Sequence, residues 1–396
     1  MTTSSIPSIL ELEELCTMYE KYTVLHQYIR TYGIDRTTYT LAYNDLLRLQ
    51  TLRLPSLEAY TYSPSNGAFT TSVIVSCEGF IMDILEGIGN FFVKLFTAIF
   101  DFFRGLLGGG SGGGGGGDSG KLDSKATKVH NKQQHSRRLI DEVKDQSPEF
   151  FVEAGKLCKK QLITDRLLIL VWKRVSEAIK KLIPIATSIK QCANSTNMSK
   201  GKAAHIRTVL QDVQKLVNNL QKLFGDKSGY TPCSSIIHNA DDAERYLDDV
   251  SGYVIDLVAS KATTGEFQAR HDLQHIEEIL HEVQDQVEDE LKKLQANPQH
   301  QGNTQPQQGN IQQQPGNNNT IFISSLKEIG KLILEFFRVT KAAAECLNQA
   351  LDEIDQSIDA VVTAIKAALK ARKQQPGTAS IDLRSFYNSL TGASYV

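Results

Sequence analysis

The chain has 396 residues, 41% of them hydrophobic, which is enough for two or three domains with real cores and excludes a wholly disordered protein. Its formal charge of −2 excludes a uniformly basic nucleic-acid binder, and its six scattered cysteines contain no Cys-x-x-Cys pair, which argues against a zinc site and a dense disulfide framework. The start, Met1-Thr2-Thr3-Ser4-Ser5, lacks a basic region before an apolar run, so no secretory signal is read there.

Residues 1–58 are read as a helical hairpin. Leu12, Leu15, Tyr19, Tyr22, Leu25 and Ile29 share one helical face, and Ser8 three residues before Glu11 has the spacing of a capping box. Gly33-Ile34-Asp35 breaks this helix, a second runs over about 36–52, and Pro55 marks its end. Residues 59–78 change to Tyr, Ser, Thr, Asn and Gly and are read as a linker, with Phe69–Val75 carrying the β-branched content of one short strand.

Residues 79–107 form a phenylalanine-rich helix. Asp83, Glu86, Asn90, Lys94, Thr97, Asp101 and Arg104 recur every three or four positions as one narrow polar stripe. The remaining surface is apolar, with Phe80, Ile84, Phe91, Phe92, Phe96, Phe100 and Phe103 as its candidate membrane or partner face. So wide an apolar face needs protein or lipid over it. Glu86, Lys94 and Asp101 interrupt it too often for an ordinary transmembrane span, leaving an interfacial mode. Residues 108–120 are almost pure glycine, a tether that uncouples the helix from the remainder of the chain.

Residues 121–296 are read as a helical domain, basic and then acidic. Lys121–Gly225 holds 21 Lys/Arg against 9 Asp/Glu, a balance of +12; Asp226–Ala296 holds 6 against 16, a balance of −10. This asymmetry has two readings: complementary helical faces within the protein, or a basic surface for packaged DNA. Asp165 is the expected cap of a helix carrying the single Trp172, with Pro184 bending or ending it; Asn239 or Asp241 starts a later helix. A charged helix spans about 266–294. On it His271, His275, Glu278 and Glu282 have metal-compatible spacing, but Asp272 replaces the glutamate of a His-Glu-x-x-His motif, and a solvated face is preferred to a metal site.

Residues 297–319, rich in Gln, Asn, Pro and Gly, are read as a disordered linker. Leu347, Leu351, Ile354, Ile358, Val361, Ile365 and Leu369 then form a heptad-like seam in a module over 320–375, one long helix or a helical hairpin, with a tail over 376–396. The fold class is therefore mainly α. No catalytic residue and no cofactor is assigned: the glycine run ends in Gly120-Lys121-Leu122 instead of a phosphate-loop Gly-Lys-Ser/Thr, and the Gly-x-Ser-x-Gly around Ser111 lacks a strand-to-helix turn.

Two short motifs sit at module boundaries: Ser56-Leu57-Glu58 ends the hairpin region and Ser76-Cys77-Glu78 directly precedes the phenylalanine-rich helix. A short helical leader, a small residue two before a glutamate and a mainly helical remainder resemble the internal head proteins of large tailed bacteriophages of the phiKZ type. The resemblance covers residues 1 to about 80. It implies a non-enzymatic protein made in the host cytoplasm, packaged inside the capsid head and trimmed by the prohead protease after Glu58 or Glu78. It also implies virion-protein partners, with DNA contacted through 121–225, membrane through 79–107, and oligomerisation compatible with both. The alternatives are a membrane-active translocator or pore-forming protein that keeps its leader, and a structural scaffold or adaptor with the phenylalanine-rich helix as its buried centre.

Overall fold

The computed structural model describes residues 6–32, 69–108, 120–194, 199–258, 269–296 and 316–374. Nine α-helices lie among them: α1 Ile9–Tyr32, α2 Phe69–Leu107, α3 Lys121–Val143, α4 Pro148–Leu157, α5 Asp165–Ala193, α6 Lys200–Gly225, α7 Ala240–Val258, α8 Ala269–Ala296 and α9 Gly316–Gln374. The mainly helical class holds. The second helix of the expected hairpin, Ser56-Leu57-Glu58, the glycine run 109–119 and residues 297–315 lie outside the described residues.

Helix ends obey local chemistry closely. Ser8 caps α1, but its Oγ accepts from the Leu10 amide at 3.3 Å instead of the Glu11 amide of a full capping box. Asn239 is the cap of α7, its Oδ1 accepting from Asp242 N at 2.8 Å. At α5 the cap is Thr164, not Asp165: Thr164 Oγ1 accepts from Leu167 N at 3.3 Å, and Asp165 falls inside the first turn, where its charge suits the helix dipole. Pro184 sits within α5 without ending it.

Two expectations change. The strand anticipated at Phe69–Val75 is helical, because α2 begins at Phe69 and incorporates part of the expected linker; β propensity is weak against the continuation of a long helix. Strands occur elsewhere, as β1 Gln161–Ile163 and β2 Tyr230–Pro232, paired antiparallel with Gln161 opposite Pro232. Three-residue strands are too short to show a period in sequence.

The chain divides into two compact units. The first comprises Met1–Lys121, Glu177–Asn218 and Ala269–Ala344; the second comprises Leu122–Ser176, Asn219–Gln268 and Glu345–Val396. The core of the second unit gathers Phe150, Phe151, Trp172, Leu247, Ile354 and Ile358, all essentially inaccessible to solvent. The heptad-like seam of α9 is spent here, with Leu347, Leu351, Ile354, Ile358, Val361 and Ile365 buried, and the 59-residue α9 is one uninterrupted helix.

Within this unit α3 and α9 are laced by charge. Lys125 Nζ stands 2.7 Å from Asp352 Oδ2, Lys128 Nζ 2.9 Å from Asp355 Oδ2, and Lys132 Nζ 2.6 Å from both Asp355 Oδ1 and Asp359 Oδ2. Arg137 reaches Asp248 of α7 at 2.6 Å. Helical steps of three and four on both helices bring successive pairs into register. Four basic residues of 121–225 are thus matched within this unit, and the partners of the lysine series come from α9, not from the acidic 226–296 segment.

Burial alone would raise the Asp355 carboxyl, but the Lys132 and Lys128 ammonium groups outweigh it and hold the carboxyl below its ordinary value. A depressed carboxylate stabilises the fold above its unfolded pKa of about 3.9, and that contribution disappears as pH falls through the lower folded value. Asp355→Asn is therefore expected to cost about 1 kcal/mol at pH 7, and the difference from wild type to shrink as pH falls below the ordinary carboxylate range, as read by urea melts monitored through Trp172 fluorescence.

Candidate functional site

The candidate site is α2 with the surfaces that cover it in the first unit. Its polar stripe faces solvent: Glu86, Asn90, Lys94, Thr97, Asp101 and Arg104 are exposed, and Arg104 pairs with Asp101 at 3.0 Å. Asp83 departs from the pattern. It is half-buried, with Oδ2 lacking a hydrogen-bond partner. At the other end Gly108 adopts φ 88°, a left-handed conformation that glycine takes without a Cβ penalty, and its amide returns to Arg104 O at 3.0 Å to close the helix.

The apolar face is covered within the chain. Phe80, Ile84, Phe91, Phe92, Phe96, Phe100 and Phe103 are all buried, none more than 8% exposed. The covering surface begins with α1, which turns Leu12, Leu15, Tyr19, Tyr22 and Ile29 inward, five of the six residues expected on its buried face; Leu25 is half-buried. Tyr22 stacks on Phe80 with ring centroids 5.6 Å apart, and His26 Nε2 lies 3.1 Å from Glu78 Oε1. Burial of apolar side chains of this size stabilises by about 1.5–3 kcal/mol each, an upper bound against a real unfolded chain.

The opposite end of α2 is covered by α8 and α9. Phe100 stacks on His281 of α8 with centroids 3.7 Å apart and planes 7° from parallel, and Phe102 meets Phe337 of α9 edge to face at 5.4 Å. Arg270 reaches the terminal Leu107 carbonyl at 3.5 Å. Burial raises the Glu277 carboxyl on α8, against the pull of Arg104.

Gly330 is what lets these elements close. A Cβ at this point of α9 would lie 2.4 Å from Leu12 Cδ2, with the Phe92 and Phe91 rings at 3.5 and 3.7 Å behind it. The α1 cover is then fastened by polar contacts with α9: Lys331 to Glu13 at 2.6 Å, and the Cys16 thiol toward Ile323 O at 3.9 Å. The notch at Gly330 and the contact of His26 with Glu78 carry no sequence signal, since nothing in periodicity says which helix will be the neighbour.

The cleavage motifs fare differently. Ser56, Leu57 and Glu58 lie outside the described residues. Ser76, Cys77 and Glu78 lie inside α2, with Cys77 buried and Glu78 bonded to His26, in place of the expected linker ending at residue 78. Proteolytic nicking favours exposed loop backbone, which a helix in this position does not offer.

Burial pushes the Cys16 thiol up to about 12 and the Cys77 thiol up to about 11, so both stay protonated. On α8, His275 turns toward Glu278 at 3.5 Å and Glu282 pairs with Lys190 of α5, and among the described residues no group of three His, Cys, Asp or Glu side chains could hold a metal ion. No helix of the described residues is long and apolar enough to cross a membrane. The chain matches no protein-family model, no curated protein and no solved structure.

Proposed function

We propose that the chain is a non-enzymatic virion protein, packaged inside the capsid head as a precursor, whose N-terminal helix is a removable cover for the phenylalanine-rich helix α2. The observation that carries the covering role is the use of α1's apolar face on α2, from Leu12 beside Phe91, Phe92 and Gly330 to Tyr22 on Phe80. The virion setting rests on the leader-like order of the first 80 residues and their resemblance to internal head proteins.

Trimming by the prohead protease then occurs after Glu58, since Glu78 sits in a helix with its side chain engaged. Loss of residues 1–58 removes α1 and uncovers part of an apolar face, which is presented to a lipid interface or to another virion protein. The breadth of that face favours a second reading, a membrane-active protein that keeps its leader and opens on contact with lipid. DNA contact through residues 121–225 falls to the lysines and arginines left outside the α3–α9 ion pairs.

N-terminal sequencing and intact mass of the protein recovered from its native particle test the reading. The expected result is a new terminus at Ala59. A full-length chain bearing Met1 or Thr2 would remove the maturation step and leave the membrane-active reading in its place.

A further inference from the structure

We propose that Cys158 and Cys233, in the second unit, are an oxidisable dithiol: Cys158 attacks a low-molecular-weight disulfide and Cys233 resolves the adduct, leaving an intrachain disulfide. The inference is independent of the virion reading. Its basis is the junction of α4 with the β1–β2 pair.

The two cysteines are 75 positions apart in sequence and are brought together by the small sheet. Cys158 is the C-cap of α4, in an extended conformation with its amide bonded to Ala154 O at 3.1 Å, three residues before β1. Cys233 comes directly after β2 and opens the turn Cys233–Ser235. With Gln161 opposite Pro232, residues just before β1 lie beside those just after β2. Gly155 tightens the junction: a Cβ there would stand 2.9 Å from Ser234 Cα, so the last turn of α4 touches the backbone of that turn.

The two thiols are close enough to perturb each other's ionisation, and they differ in access. Cys233 is 1% exposed, whereas Cys158 is half-buried, its Sγ 3.5 Å from Lys160 O and 3.8 Å from Ala360 O. This is the asymmetry that sequential attack requires, one reachable sulfur and one shielded sulfur behind it. The neighbouring Cys233, helped by the Lys160 backbone and charge, holds the Cys158 thiol below the ordinary thiol range against the opposing effect of burial, while Cys233 is pushed up in turn. Of the two, the reachable Cys158 is the sulfur that ionises more readily, which fits it for the first attack. The other four cysteines are buried.

In the first step the Cys158 thiolate forms a bond to one sulfur of the small disulfide, the S–S bond breaks, and one small thiolate leaves and takes up a proton. In the second, Cys233 gives its proton to solvent and attacks Cys158 Sγ; the mixed disulfide breaks and the second small thiol departs. Starting from the thiolate, the protein loses two electrons and one proton; the two departing small thiolates take up two protons, one released by Cys233 and one from solvent, so that one disulfide becomes two thiols.

The test uses the full-length chain, purified reduced, incubated with oxidised glutathione, quenched in acid, alkylated and analysed by intact mass and peptide mapping. The expected result is loss of two alkylatable thiols of the six, no retained glutathione, and a peptide linking Cys158 to Cys233. Cys233→Ala is expected to trap glutathione on Cys158, and Cys158→Ala to leave Cys233 unmodified. Wild-type protein that retains glutathione on Cys158 without a link, links a different pair, or keeps all six thiols would overturn the proposal. Should Cys233→Ala fail to fold, the wild-type peptide map alone decides.

Discussion

Phe92→Ala is expected to destabilise the first unit by about 3–5 kcal/mol, the range for truncating a fully buried aromatic side chain. Phe92 is 1% exposed, meets Phe91 edge to face at 5.5 Å, stacks toward Phe96 at 6.3 Å, and lies against the Gly330 notch of α9. The loss combines the missing transfer energy with a cavity that three helices cannot all collapse into. Val93, the next residue, gives the control: it is 48% exposed, and Val93→Ala should stay within about 0.5 kcal/mol of wild type. Urea titration monitored by far-ultraviolet circular dichroism reads both. If α2 stood free on its tether, the two substitutions would be equally neutral, so a near-zero effect at Phe92 would reject the covered arrangement.

The contrast between Phe92 and Val93 also marks what a sequence can reveal. The polar stripe from Glu86 to Arg104 is legible because a helix repeats every 3.6 residues, and every stripe position in that range is exposed, with Val93 and Gly105 exposed beside it. The inward face of α1 is readable for the same reason. Pairing is a different kind of information. Tyr22 meets Phe80 across 58 positions and Lys132 meets Asp359 across 227, and no local period carries such distances. A broad apolar face implies only that something covers it; lipid, a partner and another segment of the same chain satisfy that requirement equally. The thiol pair is hidden likewise, since Cys158 and Cys233 have ordinary neighbours in sequence and are joined only by the pairing of two three-residue strands. Local rules mislead where two of them compete: β-branched residues at Phe69–Val75 lose to helix continuation, and Asp165 loses the capping position to Thr164, whose hydroxyl also donates to Gly229 O at 2.9 Å.

Removing residues 1–58 is expected to convert the protein from one that ignores lipid into one that binds it. Truncation strips α1 from α2 and leaves Phe80, Phe91 and Phe92 without the side chains of Leu12 and Tyr22 against them. At about 25 cal/mol per Å² of apolar surface, a few hundred Å² newly facing water costs several kcal/mol, which insertion of the face at an interface would recover. The measurement is flotation of the 59–396 chain with vesicles of neutral phospholipid beside the full-length protein, together with fluorescence of a dye that reports exposed apolar surface. Dye binding should rise several-fold on truncation, and flotation should appear only in the truncated chain. Phe91→Asp in the truncated chain, at a position the cover no longer shields, should abolish flotation while leaving Trp172, in the second unit, in its buried environment. A truncated chain that binds dye but never floats would assign the uncovered face to a protein partner, because the apolar surface would be present and lipid would not satisfy it. A truncated chain that neither binds dye nor floats would mean that α8 and α9 keep the face closed without α1, and the cover would then have no part in function.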